Sequence, residues 1–189
     1  MVHLDETDLD LLAAQVRSHP PLDADEVRSL LADARDAGPA QARLVEHHLE
    51  VALDESLARG DRGLEVTDLY QEATVATIIA VSEYAARGGA PSGLRSYVAR
   101  VVGAHLDAAI EEAQLAQRSE EALVRDAQLF ETAEINLRHE LGRRATNTEL
   151  AAELDWPEDR VATIAEMLTE ARDMYDSEIV QYLDDEEEE

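Results

Sequence analysis

Apolar residues recur at three- and four-residue intervals, and nothing in the first half of the chain alternates with period two, so the pattern predicts helices and no strands. Thr7 caps a first amphipathic helix with Leu9, Leu12, Ala13 and Val16 on one side, ended by His19-Pro20-Pro21. A second helix starts near Asp23, turns Val27, Leu30, Leu31 and Ala34 inward, and stops at Gly38-Pro39, where proline cannot continue the hydrogen-bond ladder. A third runs from Ala40 to Gly60 and buries Leu44, Val45, His48 or Leu49, Ala52, Leu53 and Leu57. The fourth, Asp68 to Tyr84, organises the rest: Thr67 caps it, and no Gly or Pro interrupts it before Gly88. Its Leu69, Ala73, Ala76 and Ala80 form a buried face. Asp68, Gln71, Glu72, Val75 and Ile79 mix charge and bulk, as on a helix covered by a partner.

A fifth helix runs from about Ser92 to Arg118, apolar at Leu94, Tyr97, Val98, Val101, Val102, Leu106 and Ile110, and a sixth from Ser119 to Leu141. Thr146 and Glu149 make a capping box that opens a short helix ending at Asp155-Trp156-Pro157, and Pro157 at a first helical position starts the last helix. Two helices joined by a tight turn are the pattern of a helix-turn-helix, with Trp156 packing the turn. The expected organisation is all-α: a helical bundle over 1–118, a three-helix domain over 119–172, and an acidic tail over 173–189 that buries too little apolar surface to fold alone.

Composition narrows the function classes. The formal net charge of −27 opposes non-specific attraction to nucleic acid. All sixteen basic residues are Arg, a bias attributed to codon usage. Without Cys there is no thiolate metal site, the His residues have no i, i+4 partner, and no phosphate loop or catalytic His and Ser pairing appears, so neither an enzyme, a cofactor nor a metal is expected. No apolar run suits a membrane span and no leader is evident, so a cytoplasmic protein is expected.

Three blocks between Leu9 and Leu168 carry a resemblance. PPLDADEVRSLLADARDAGPAQARLVEHHLEVAL, the helix DLYQEATVATIIAVSEY with its Asp68, Leu69, Gln71, Glu72, Ala80, Val81 and Tyr84, and RHELGRRATNTELAAELDWPEDRVATI resemble, in order and spacing, the bacterial RNA polymerase sigma-70 family. The resemblance implies a sigma-like helical domain 2 followed by domain 3. It also implies that the helix from Asp68 docks on the clamp helices of the largest subunit of core RNA polymerase, through Asp68, Leu69, Gln71, Glu72, Val75 and Ile79. The next helix then reads promoter DNA, domain 3 touches DNA beyond it, and an acidic finger follows. The family's fourth domain is expected to be absent.

Departures from the family pattern fall in the promoter-reading helix. Val101, Val102, Ala104 and Ala108 fall among slots of aromatic and polar readers, and Glu111 and Glu112 where basic residues are expected. From Arg87 to Arg118 there are four Arg against three acids, few for a reader of several phosphates. The DNA-binding candidates are Arg87, Arg95, Tyr97 and Arg100, with Arg143 and Arg144 in the second domain. The resulting expectation is a sigma-like transcription regulator that binds core polymerase, with promoter DNA bound weakly or only within a polymerase complex. The alternative is a sigma mimic whose partner is an anti-sigma factor. The acidic tail reads either as a solvated end or as a finger occupying a basic channel.

Overall fold

The computed structural model describes residues 6–34 and 38–186, and the side chains of 11–34 and 38–175. The described residues contain helices and no strand: α1 (Glu6–Arg17), α2 (Ala24–Asp33), α3 (Pro39–Glu46), α4 (Leu49–Leu57), α5 (Val66–Arg87), a 3-10 turn (Pro91–Gly93), α6 (Leu94–Leu141), α7 (Asn147–Leu154) and α8 (Glu158–Glu186). The chain divides into two compact units, Met1–Ala116 and Gln117–Glu189. Leu9 and the acids beyond Tyr175 lie outside the described side chains.

In the first unit, Leu44, Leu69, Val81, Leu94, Val98, Val102, Leu106 and Ile110 are fully buried. Against them α5 places Ala73, Ala76 and Ala80, whose small side chains let neighbouring helices approach closely. Asp23 caps α2 with its carboxylate, and Glu26 returns the bond to the Asp23 N–H at 3.1 Å.

The helix expected from Ala40 to Gly60 is two helices, broken at His47-His48. The His48 N–H bonds to Val45 O at 2.8 Å, one residue short of the α-helical partner, and its buried imidazole meets the Leu44 carbonyl at 2.7 Å. The side chain thereby occupies the carbonyl that its backbone leaves. Burial pushes the His48 pKa down, against the opposing effect of the Leu44 bond. The break rotates the following turn, so Leu57, expected inside, is 47% exposed while Ser56 is buried and bonds to Ala52 O.

Other boundaries also differ from expectation. Thr7 lies inside α1, and α5 begins after Glu65 in extended backbone, so Thr67 sits in its first turn instead of capping it. α6 is one helix where two were expected. From Ala104 to Leu141 no Gly or Pro interrupts the ladder, and Ser119 continues it. The backbone of the acidic tail, expected to bury too little apolar surface to fold alone, continues α8 as far as Glu186.

Gly88 ends α5 in the left-handed conformation, φ 67°. The following turn is packed onto Tyr84, whose hydroxyl donates to Ala90 O at 2.7 Å. A Cβ at Gly89 would lie 2.3 Å from the Tyr84 ring, so the turn needs glycine for space. At the far side of the bundle, Arg59 from the end of α4 bonds Asp107 of α6 at 3.0 Å and Glu55 at 2.6 Å, with Arg62 also on Asp107. These partners raise the Arg59 pKa and lower that of Asp107.

The second unit is built on Phe130, Ala133, Leu150, Ala151, Val161 and Ile164, with Trp156 packed against them as expected for the turn. Thr146 caps α7 and Glu149 completes the predicted box. Asp155 closes α7 at φ 53°, a left-handed position that Asp tolerates better than most residues. Pro157 lies one residue before α8, its carbonyl accepting the Val161 N–H.

Candidate functional site: the outer strip of α5 and the arginines of α6

The period of α5 separates its two faces. Leu69, one of the expected contact residues, is 0% exposed. It therefore holds the helix from inside, and a partner cannot touch it. Asp68, Gln71, Glu72, Val75 and Ile79 do share an exposed strip, as i, i+3 and i+4 spacing requires. Val75 is 51% exposed and Ile79 46%, and Ile78, which the sequence reading missed, adds a third large apolar side chain at 43%. Ile78 also borders a notch of about 330 Å³ against α3, lined by Gln41, Ala42, Val45 and Glu46. This apolar patch is continuous with a polar end formed by Asp68, Gln71 and Glu72.

That polar end lines a groove of about 520 Å³ between α5 and α6. Its apolar floor includes Leu64 and Ala109, and its polar lining includes Asp68, Gln71, Glu72, His105 and Glu112. His105 Nε2 lies 2.8 Å from Glu72 Oε2. Two of these residues, His105 and Glu112, come from α6 and are more than thirty positions from Glu72, so no local spacing in the sequence signals them.

The DNA-binding candidates are a different case, because most of them already hold a carboxylate. Arg87 pairs with Glu83 at 3.2 Å, one helical turn before it on α5. The Tyr97 hydroxyl donates to the same carboxylate at 2.7 Å, and this bond raises the Tyr97 pKa. Arg95 pairs with Glu50 of α4 at 3.2 Å. Arg100 stacks over the Tyr97 ring at 5.1 Å, and no ion pair to it is found among the described residues. Tyr97, Arg87 and Arg100 thus form one cluster around an aromatic ring.

In the second unit, Arg143 makes a two-pronged bond to Glu149, at 2.9 and 2.6 Å. With the Thr146 cap, this holds the Glu149 carboxyl at a pKa of about 2, and Arg143 moves up correspondingly. Arg144 reaches Glu134, which is nearly buried and also bonds Arg138 at 3.0 Å. A buried carboxylate needs such partners, so Arg144 and Arg138 serve the fold. These pairings involve residues that no sequence motif marked, Glu50, Glu83 and Glu134 above all.

Among the described residues no helix is long and apolar enough to cross a membrane. No curated protein matches the chain. Residues 130–187 match the family model of sigma-70 region 3, a match that lies within the second unit. The matched stretch, under a third of the chain, is similar to sigma-70 region 3, and the described residues before and within it are helical without a strand.

Proposed function

We propose that the protein binds core RNA polymerase through the outer strip of α5 and reads promoter DNA weakly, or only inside the polymerase complex. The observation that carries this reading is the exposure of Val75, Ile78 and Ile79 beside Asp68, Gln71 and Glu72 on a helix whose opposite face is fully buried. A large apolar patch bordered by acids suits a partner helix with apolar and basic residues. The clamp helices of the largest polymerase subunit are that partner. Acidic contacts at its edge orient the encounter and speed it, and the apolar centre supplies most of the affinity.

Weak promoter reading is supported by the ion pairs. A phosphate can recruit Arg87, Arg95, Arg143 or Arg144 only in competition with Glu83, Glu50, Glu149 or Glu134. Each neutralised phosphate contributes to affinity through counterion release, and these arginines are already largely neutralised within the protein. Arg100 and the Tyr97 ring remain as the most available contact.

The experiment is binding of the full chain to core polymerase, comparing the natural protein with the double variant Gln71→Ala, Glu72→Ala. Both side chains are exposed, so circular dichroism stays unchanged while association is lost. Unchanged association would remove the α5 strip as the docking surface.

A further inference from the structure

The carboxylate at the polar end of the strip is fixed from the neighbouring helix. Glu72 is a long, half-exposed side chain, and the 2.8 Å bond from His105 Nε2 restricts it. A free glutamate loses rotamer entropy when a partner captures it. A side chain already held loses less, which favours binding. The acceptor is a carboxylate oxygen, so in the neutral ring Nε2 carries the proton.

The charged groups facing His105 along the groove are Asp68 and Glu72 from α5 and Glu112 from α6, and no Arg among the described residues lines it. Asp107, two residues along α6, is held by Arg59 and Arg62 of the α4 end.

We propose that His105 is a positioning residue for the docking strip: its ring, bonded across from α6, holds the Glu72 carboxylate ready for a cationic side chain of the partner. The inference rests on the reading of α5 as the polymerase-docking surface.

The test is the affinity of the labelled full chain for core RNA polymerase at fixed ionic strength. The natural protein is compared with His105→Gln, which keeps an N–H donor, and with His105→Ala. The natural protein and His105→Gln are expected to bind equally, and His105→Ala about three-fold more weakly than both. Full affinity of His105→Ala would overturn the inference, as would a loss in His105→Gln as large as that in His105→Ala. The Gln71→Ala, Glu72→Ala protein separates the two levels. If it binds normally, the α5 reading itself falls, whereas if it fails to bind while both His105 variants behave as the natural protein, only the role of His105 falls.

Discussion

Tyr97 donates its hydroxyl to Glu83 at 2.7 Å, joining the first turns of α6 to the last turns of α5. The same Glu83 oxygen holds Arg87. One carboxylate therefore occupies an aromatic ring and a cation that would otherwise be available to nucleic acid. Replacing Glu83 with Gln keeps an acceptor and removes the charge. DNA binding in the presence of core polymerase is expected to strengthen, and the slope of log affinity against log salt to steepen by roughly 0.7–0.9, the contribution of one phosphate contact. The Tyr97 phenol should also titrate at lower pH than in the natural protein, because the charged acceptor that raises it is gone. An unchanged salt slope would mean that Arg87 does not reach DNA even when released.

Leu69 and Val75 stand on opposite faces of α5 and should separate stability from docking. Leu69→Ala removes a fully buried side chain and is expected to cost about 2–5 kcal/mol in denaturant unfolding. Val75→Asp, at an exposed position, is expected to change stability by less than about 0.5 kcal/mol while weakening polymerase association at least ten-fold. Equal effects of Val75→Asp on both quantities would place the residue in the core.

The turn between α5 and α6 sets the distance between Glu83 and Tyr97, and Tyr84 fixes that turn. Gly89→Ala pushes a methyl group to within 2.3 Å of the Tyr84 ring, whose hydroxyl is tied to Ala90. The ring cannot yield without breaking that bond, so a loss of about 1–3 kcal/mol is expected. Tyr84→Leu, which removes the hydroxyl and part of the ring, should make the same glycine substitution much less costly. A double-mutant cycle by chemical denaturation measures the difference.

Glu149 predicts an acid-sensitive second unit. Its folded pKa of about 2 lies below the ordinary value of 4.5, so its ionised form favours the folded state. That contribution is complete above the ordinary value and is lost as pH falls from about 4.5 through about 2. Glu149→Gln keeps a capping side chain and loses the Arg143 pair. The natural protein should therefore melt above the variant at neutral pH, and the gap should close toward pH 2. A gap that persists at low pH would show that the cap, and not the charge, is what the natural side chain supplies.

How far the sequence could be read depended on whether a signal was local. The start of α2 near Asp23, the capping box at Thr146 and the buried period of Leu69, Ala73, Ala76 and Ala80 were legible, since residues three or four apart fix them. The exposure of Gln71, Glu72, Val75 and Ile79 followed from the same period. The break at His48 was not legible, because it depends on an imidazole reaching its own helix's carbonyl within a packed core. Continuity of α6 through Ser119 went unread because a serine after an arginine resembles a new cap. The least legible feature was the state of the arginines. Counting charges from Arg87 to Arg118 gave a weakly basic stretch, whereas Glu50 comes from a helix 45 residues away and Glu83 from across a turn.

The measurement that bears most directly on the whole account is competitive comigration of the purified full chain with core RNA polymerase on a sizing column, at moderate salt, with a genuine sigma factor as competitor. The account predicts that the protein travels with core polymerase, that the sigma factor displaces it, and that the Gln71→Ala, Glu72→Ala variant does not comigrate. Failure of the natural protein to comigrate, with its helical fold intact, would contradict the polymerase assignment and direct attention to an anti-sigma factor as the partner.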